Sequence, residues 1–578
     1  MARIDRKAHG KEQGMAYLKV YTEKAVKDRY PNSLANSVHF AYSEDGKEYH
    51  PLNQGYGMLF AKAKICENNT IAERGVRNPG LTKRKDTYLI FAQPVDAQGN
   101  PVSGETCIVW RTKDFVEFDE QETVAWDEML TVDDGQAESL PGSQAQDNTG
   151  QLTVAEIPDD ILKRVKNRWL PLRSERVELP QNLCLKDMHE LSGIQANVIY
   201  SDGSAAKKCV AWSENTLTAL GDGRYRIKGS IKPVETGFPL APGYADPVIF
   251  SWEGEWYFLA TNDNVNDVGL FVRRAHTVDG LFAAGVKEYC ILPYDESRGF
   301  CQTFWAPEFH VIGGELYILF AVSGKQWGPQ CHMMRLKKGG QIVNAADWEE
   351  PIRVLRANQM PLTADGITLD MTYFQAGGKS YVCWSYRYGI GTPEDTGSML
   401  YIATVGEKQP WVLTSEPVLL SRPLYGWENN SGTINNEGPY ALLLDDKIYM
   451  AYSGGDACGY YYAVGYLTAS AEDDLLNTQS WKKLTAPVLH SLSVPGIAGP
   501  GHNSFFRDEA GELMIAYHAQ ERDKYFKRCS AYHRVHIAGS GFPMLNVVGE
   551  REVADNLREV ELEFRTEQDL RFSVMTEH

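Results

Sequence analysis

Apolar and polar positions alternate over short stretches along most of this chain, and turn-forming residues separate the stretches. The apolar positions are rich in Val, Ile, Tyr, Phe and Trp, which is typical of β-strands joined by tight turns. Helical periodicity is confined to a stretch near 157–172, where Asp159 and Asp160 are candidate caps of a short helix. The pattern therefore predicts an all-β protein with one minor helix.

One version of this pattern occurs five times in the second half of the chain. In each copy a polar residue opens a strand, a short turn follows, and a second strand ends in small or polar residues. The copies are DPVIFSWEGEWYFLAT from Asp246, EFHVIGGELYILFAVS from Glu308, DMTYFQAGGKSYVCWS from Asp370, EGPYALLLDDKIYMAYS from Glu437 and HNSFFRDEAGELMIAYH from His502. Their starts lie 62, 62, 67 and 65 residues apart, so one supersecondary unit is repeated.

Each copy reads as a β-hairpin, and the intervals leave room for two further strands per unit. Four-stranded sheets repeated around an axis form a β-propeller, which also protects strand edges. Five copies predict a five-bladed β-propeller over about 239–545. Because the first strand of a blade lies nearest the axis, we expect the five leading residues to be equivalent and to surround one mouth of the central channel.

The rest of the chain predicts three further segments. Residues 1–145 are β-rich and contain VRNPGLTKRKDTYLIFAQ, a weaker sixth copy with Asn78 in the place of the leading carboxylate, and we interpret them as a propeller-like accessory module. In 146–238, which begins with the predicted linker helix, VIYSDGSAAKKCVAWSE and GDGRYRIKGSIK resemble small bacterial immunoglobulin-like β domains. Residues 546–578 are charged and short, and predict one or two peripheral strands.

Charge and cysteine content narrow the functional classes. The formal net charge is −18, so partners with phosphate backbones and anionic membranes are disfavoured. The N-terminal stretch has no apolar signal core, and ten scattered Cys form no C-x-x-C pair. These features predict reduced thiols and a cytoplasmic location, or secretion if a signal has been removed. They leave the oligomeric state open.

Three of the leading carboxylates are candidates for catalysis. Asp246, Asp370 and Glu437 each directly precede an apolar strand, a position that a surface carboxylate does not need. In a narrow channel, burial raises carboxyl pKa values and neighbouring like charges move them apart. One group then acts as a base and another as an acid, which glycosidic bond cleavage requires. The alternative interpretation is that these carboxylates cap turns or hold a cation.

Four other residues are candidates for substrate contact. His502 shares the spacing of the carboxylates and is expected to order a water, a sugar hydroxyl or a cation. Trp305 could stack on a sugar or belong to the core, and Glu308 and Asn262 could touch substrate or be structural. No metal is required by this reading, although Ca²⁺ held in the channel mainly through water at His502 stays open. Nucleophile-elbow, Walker A and H-E-x-x-H motifs are missing.

The phrases YADPVIF, WAPEFHVIGGELYILF, LDMTYF, NNEGPYALLLDDKIYMAYSG and GPGHNSFFRDEAGELMIAYH together resemble glycoside hydrolase family 43. The resemblance covers about 239–545. It implies a five-bladed β-propeller with α-L-arabinofuranosidase, β-xylosidase or arabinanase activity.

The resemblance also implies roles for individual residues. Asp246 corresponds to the general base, Asp370 to the residue that tunes the acid, and Glu437 to the general acid. His502 corresponds to the channel histidine of the family and Trp305–Glu308 to the segment beside the site. Together they imply hydrolysis with inversion, in which the base activates a water on one face of the sugar and the acid protonates the departing oxygen on the other.

We therefore predict an exo-acting α-L-arabinofuranosidase that releases terminal arabinose from plant-type oligosaccharides. Within the family, β-xylosidase and β-D-galactofuranosidase activities are the alternatives, because these sugars differ only in ring size or one carbon. The alternative from another class is a carbohydrate-binding propeller without catalysis, which would not need three buried carboxylates.

Overall fold

The computed structural model describes residues 15–27, 29–102, 104–131, 153–234, 236–430, 433–522 and 527–566. The chain forms two compact units. The first consists of Met1–Leu170 with Leu424–Asn430, and the second of Pro171–Pro423 with Ser431–His578. No helix in the described ranges is long and apolar enough to cross a membrane.

The second unit contains a five-bladed β-propeller, as the repeat predicts. Its blades are antiparallel sheets, and in blades 1 to 4 the strands follow one another in chain order from the axis outward. Blade 1 consists of Tyr244–Trp252, Glu255–Asn262, Leu270–Ala275 and Glu288–Leu292. Blade 2 consists of Gln302–Ile312, Glu315–Ser323, Gln330–Arg335 and Ile352–Arg353. Blade 3 consists of Ile367–Ala376, Lys379–Arg387, Met399–Gly406 and Gln409–Leu413, with Val418–Ser421 also paired to its third strand.

The last two blades close the ring. Blade 4 consists of Asn436–Leu444, Lys447–Gly454, Ala463–Ser470 and Lys482–Lys483. Blade 5 takes Ile497–Arg507, Leu513–Glu521 and Cys529–Arg534 from the end of the domain and Gly237–Pro242 from its beginning. The five inner strands contact one another in a closed circle. The strand before blade 1 thus fastens the two ends of the propeller together.

Apolar side chains from both faces of the strands fill the spaces between blades. Between blades 1 and 2, for example, Leu259, Phe309 and Ile318 are almost completely buried in one cluster. Burying each such side chain contributes about 1.5–3 kcal/mol. The nearly continuous apolar runs of the second strands therefore reflect sheets that are covered on both faces.

A second sheet in this unit uses residues from both sides of the propeller sequence. Its strands, in order across the sheet, are Ser174–Glu178, Gln195–Tyr200, Ala205–Gly221, Arg224–Ile231, Glu559–Thr566 and Leu183–Leu185. The C-terminal strand pairs with Arg224–Ile231 along its whole length. The predicted C-terminal strand is thus a member of this sheet, and the likeness of 146–238 to an immunoglobulin-like domain stays a prediction. Short strands at Thr433–Ile434, His536–Ile537 and Pro543–Met544 complete the unit.

The first unit contains two four-stranded antiparallel sheets. One consists of Met15–Tyr21, His39–Ser43, His50–Pro51 and Val154–Pro158, and the other of Gly75–Arg84, Thr87–Val95, Thr106–Thr112 and Glu122–Ala125. The remaining elements are the hairpin Lys64–Ile65 and Ile71–Ala72, the short strand Asn429–Asn430, and the helices Asn32–Ala35, Trp126–Thr131 and Asp159–Trp169.

The predicted helix exists, but its cap and its domain differ from the prediction. Asp159 and Asp160 lie in its first turn, where their negative charges interact favourably with the helix dipole, and Pro158 occupies the N-cap position. The helix follows directly on the strand Val154–Pro158, which pairs with Met15–Tyr21. This pairing brings the helix into the first unit, whereas the sequence division placed it with 146–238.

Candidate active site

Every inner strand of the propeller contains a break in register near its start, where one residue adopts a left-handed backbone conformation. These residues are Asp246 (φ 53°), Ala306 (φ 45°), Asp370 (φ 54°), Gly438 (φ 56°) and His502 (φ 49°). They are the structurally equivalent positions of the five blades.

This equivalence corrects the alignment of the five repeats. Glu308 lies two residues after the equivalent position of blade 2, and Glu437 lies one residue before that of blade 4. The prediction that both are equivalent to Asp246 is therefore wrong. The equivalent feature of the five blades is the backbone bulge and not the carboxylate, because Ala306 and Gly438 occupy the bulge in blades 2 and 4. Asn78, predicted to correspond to Asp246, does lie at such a bulge in the first unit.

The predicted base, Asp246, is a buried carboxylate surrounded by hydrogen-bond donors and positive charge. Its Oδ2 accepts a hydrogen bond from Thr261 Oγ1 at 2.5 Å. Its Oδ1 lies 3.3 Å from His502 Nδ1 and 3.8 Å from a guanidinium nitrogen of Arg528. Burial raises the pKa of Asp246, but the charges of His502 and Arg528 outweigh it, so the pKa lies well below its usual range. Asp246 is therefore ionised at neutral pH.

The predicted acid, Glu437, has the opposite surroundings. Its Oε1 accepts a hydrogen bond from the Tyr462 hydroxyl at 2.9 Å. Burial and the nearby carboxyl of Asp370 raise the pKa of Glu437 to about 8. Glu437 therefore holds a proton at neutral pH and can donate it.

Asp370, the predicted tuning residue, accepts two hydrogen bonds at Oδ2. The donors are Ser385 Oγ at 3.0 Å and the backbone N–H of Gly438 at 3.1 Å. Burial raises the pKa of Asp370, and Asp246 raises it further. The effect of Asp370 on the Glu437 pKa is the one expected of a tuning residue.

His502 interacts electrostatically with all three of these carboxyl groups. Burial lowers its pKa, but Asp246 and Asp370 outweigh that effect, so the pKa of His502 is raised. In its protonated form the ring balances part of the buried negative charge. The structure thus brings four predicted site residues together: Asp246, Asp370, Glu437 and His502.

Glu308, Asn262 and Trp305 have other partners. Glu308 bonds to His310 at 2.6 Å, and His310 lines a separate cavity of about 310 Å³ further along the inner strands. Asn262 caps the turn after blade 1's second strand through the N–H of Asn264. Trp305 is half-buried and donates its indole N–H to Asp267 at 2.9 Å. Contact of any of the three with substrate stays a prediction.

The side chains that support the site were not predicted. In four of the five blades, however, the last residue of the repeat phrase is one of them. Three of these last residues accept the bulge amide of the next blade around the ring, and the fourth, Ser385, donates to Asp370, whose carboxylate accepts the bulge amide of blade 4. The pairs are Ala306 to Thr261 (2.9 Å), Gly438 to Asp370 (3.1 Å), His502 to Ser453 (2.7 Å) and Asp246 to His518 (3.3 Å). Thr261, Ser385, Ser453 and His518 are the last residues of their phrases, so the repeat itself contained the signal.

Arg528 and Tyr462 could not be found in this way. Arg528 lies beyond the last repeat phrase and is oriented by two hydrogen bonds to Asp263, at 2.5 and 3.0 Å. Tyr462 lies in the connection to blade 4's third strand. Both lie outside the repeated hairpin, and no short motif marks them.

The residues fit direct metal ligation poorly. The described part of the chain has no group of three His, Cys, Asp or Glu spaced to hold a metal ion. His502 Nε2 is buried without a hydrogen-bond partner among the described residues, but Asp246 and Asp370 raise the pKa of His502, which disfavours the neutral imidazole that metal binding needs. Ca²⁺ held there through water stays a prediction, and no step of the chemistry below depends on it.

The arrangement combines an ionised carboxylate with a protonated carboxylic acid in one buried group. Such a pair can remove a proton from water and donate a proton to a leaving oxygen in the same reaction. Because both groups are carboxyls, the difference in their protonation arises from their surroundings.

The propeller half of the chain is similar to known proteins. The family model of glycosyl hydrolases family 43 matches residues 237–543. An extracellular exo-α-(1→5)-L-arabinofuranosidase of Streptomyces avermitilis is 33% identical over 282 residues, which are 48% of this chain and 55% of that protein. A relative of the same name from Streptomyces chartreusis is 32% identical over 292 residues, 50% of this chain and 84% of that protein.

Among solved structures, an α-L-arabinofuranosidase from Lactobacillus brevis aligns with a TM-score of 0.46 and 29% identity, over 53% of this chain and 95% of that one. The chain spans about half the length of the Streptomyces avermitilis relative. The match to the family model covers more than half of the 578 residues and coincides with the five blades. The chain therefore belongs to glycosyl hydrolases family 43.

Proposed function

We propose that this protein is an exo-acting α-L-arabinofuranosidase that hydrolyses terminal arabinose from plant-type oligosaccharides with inversion of configuration. The observation that carries the proposal is the division of protonation between two buried carboxyls. The pKa of Glu437 is about 8, while that of Asp246 is lowered. An acid and a base are thus both in their active forms near neutral pH.

The reaction proceeds in a single displacement. Asp246 takes a proton from a water molecule, whose oxygen attacks the anomeric carbon. Glu437 gives its proton to the departing glycosidic oxygen as the bond breaks. Asp370 keeps Glu437 protonated until that moment, and the His502 imidazolium and Arg528 keep Asp246 ionised. Inverting enzymes hold the two carboxyls about 6.5–9.5 Å apart so that the water fits between them and the sugar.

The choice of sugar rests on the names of relatives. Both Streptomyces proteins are named exo-α-(1→5)-L-arabinofuranosidases, and their similarity covers the propeller half of this chain. Because β-xylosides and β-D-galactofuranosides differ little from arabinofuranosides, the substrate must be tested and not assumed. The cytoplasmic location also stays a prediction, since both relatives carry the word extracellular in their names.

The test compares release of 4-nitrophenol from α-L-arabinofuranoside, β-D-xyloside and β-D-galactofuranoside substrates by the full chain. We expect the arabinofuranoside to have the highest kcat/KM. Asp246→Asn should lower kcat by at least ~10³-fold, because no base then activates the water. Glu437→Gln should retain more activity on this good leaving group than on an arabinobiose, whose leaving oxygen needs the proton.

Glu253→Gln serves as the matched control, because Glu253 is an exposed carboxylate in the hairpin turn of blade 1. It should behave as wild type. Preference for another sugar would overturn the arabinofuranosidase assignment. Equal inactivity of wild type and both site variants on all three glycosides would favour a carbohydrate-binding protein instead.

A further inference from the structure

We infer that Tyr462 is a positioning residue for the general acid: its hydroxyl fixes the Glu437 carboxyl and controls how readily that group releases its proton. The inference rests on the proposed function, because it assumes that Glu437 is the acid. It assigns a role to a side chain that acts through the Glu437 carboxyl.

The first observation is the contact itself. Tyr462 is completely buried, and its hydroxyl donates a hydrogen bond of 2.9 Å to Glu437 Oε1. No other hydrogen bond to the Glu437 carboxyl is found among the described residues. The hydroxyl therefore decides the orientation of the carboxyl and leaves its second oxygen available to carry the proton.

The second observation is that the Tyr462 ring is held on two sides by blade 5. It stacks on the His518 ring, with centroids 5.3 Å apart and planes inclined by 9°. On another side lies Gly501, where an added Cβ would be only 2.2 Å from Tyr462 Cδ1. A glycine is thus required at 501 for the ring to occupy this position.

His518 itself is fixed to the base side of the site. Its Nε2 donates to the carbonyl oxygen of Ala457 at 2.9 Å, and its Nδ1 lies 3.3 Å from the backbone nitrogen and 3.1 Å from Oδ1 of Asp246. Burial lowers the pKa of His518, and its contact with the Asp246 carboxyl opposes that effect. The stack of Tyr462 on His518 therefore connects the backbone of the base to the side chain of the acid.

The charges around the acid determine the direction of the effect. Asp370 and Asp246 face Glu437 and raise its pKa in addition to burial, whereas His502 and the Tyr462 hydrogen bond lower it. Burial raises the pKa of Tyr462 well above its usual value, so the hydroxyl remains a donor at every working pH. The bond is strongest to the carboxylate that remains after proton transfer, so it stabilises the product of that step.

Tyr462→Phe removes only this donor. We expect the basic limb of the kcat/KM profile to move up by roughly one pH unit, because a charge-assisted hydrogen bond is lost. We also expect kcat on an arabinobiose to fall by about 10-fold, but kcat on the 4-nitrophenyl glycoside by less than about 3-fold, because a good leaving group needs little protonation. Tyr449→Phe is the control, since Tyr449 lies in the same blade and donates to Gly541.

Gly501→Ala gives an independent check, because it displaces the ring but keeps the hydroxyl. It should move the basic limb and the leaving-group dependence in the same direction as Tyr462→Phe. Thermal unfolding of each variant verifies that it folds. If both substrates slow equally and the pH profile stays that of wild type, Tyr462 is only structural and the inference fails.

Glu437→Gln separates this failure from that of the proposed function. If Glu437→Gln cleaves arabinobiose as fast as wild type, Glu437 is not the acid and both ideas fall. If Glu437→Gln is inactive on arabinobiose while Tyr462→Phe behaves as wild type, only the role of Tyr462 is rejected.

Discussion

Asp246 and Glu437 are both buried carboxyl groups near the starts of inner strands, yet they hold opposite protonation states. Burial raises the pKa of each. At Asp246 the positive charges of His502 and Arg528 reverse the effect, whereas at Glu437 the carboxyl of Asp370 adds to it. At the scale of single residues, function thus follows from which charged neighbour each carboxyl has.

These surroundings predict the pH dependence of kcat/KM. Activity requires protonated Glu437, so it should fall as the pH rises through about 8. It also requires ionised Asp246, whose pKa is lowered, so activity should persist on the acid side until below the usual carboxyl range. A profile measured with an arabinobiose at constant ionic strength tests both limbs, because the leaving oxygen of that substrate needs the proton of Glu437.

The pH profiles of Asp246→Asn and Glu437→Gln serve for comparison. Asp246→Asn should remove the acidic limb and Glu437→Gln the basic limb. A basic limb below pH 6 in the wild type would contradict the assignment of Glu437 as a carboxyl with a raised pKa.

Part of the site was predictable from the sequence at this scale. The strand-initiating phrases identified Asp246, Asp370, Glu437 and His502, and the family resemblance gave these four residues their roles. Arg528 and Tyr462 were not found, because they lie outside the repeated hairpins and reach the site only through loops. Contacts between distant loops leave no periodic trace in a sequence.

At the scale of elements, the bulge in each inner strand is what builds the site. It turns one residue into a left-handed conformation, and in four blades the amide of that residue binds a side chain of the preceding blade. The repeat in the sequence predicted the hairpins correctly, but the predicted equivalence of Glu308 and Glu437 with Asp246 was wrong. A bulge depends on backbone geometry, and neither Ala306 nor Gly438 resembles a carboxylate in the sequence.

Gly438→Ala tests the importance of this geometry. Gly438 has φ 56°, and an added Cβ would lie 2.9 Å from the buried His502 ring. We expect a loss of about 1–2 kcal/mol in the free energy of unfolding from the left-handed conformation alone. We also expect kcat to fall by at least ~10-fold, because the His502 ring and the hydrogen bond from the residue 438 N–H to Asp370 must shift. Urea unfolding and steady-state kinetics measure the two effects.

Gly254→Ala is the matched control, because Gly254 has φ 81° in the hairpin turn of blade 1 with open space around an added Cβ. It should lose similar stability and keep its kcat. Equal kinetics in the two variants would show that the bulge of blade 4 does not hold the catalytic groups.

At the scale of the whole molecule, the period of the repeat predicted the number of blades and their strand order. Two long-range pairings were not predictable. Gly237–Pro242 closes blade 5, and Glu559–Thr566 joins the sheet formed by 174–231. Both join segments separated by about 300 residues of chain, and neither segment has a pattern that specifies its partner. Closure of the circle is nevertheless essential, because it places Asp246 of blade 1 beside His502 of blade 5.

The central claim is that Asp246 activates a water on one face of the sugar, while Glu437 protonates the departing oxygen on the other face. The anomer first formed from 4-nitrophenyl α-L-arabinofuranoside tests it most directly, by proton NMR within the first minutes of hydrolysis before mutarotation. The account predicts that β-L-arabinofuranose appears first. Initial formation of the α-anomer would mean a double displacement and would contradict the assignment of Asp246 as a base acting on water.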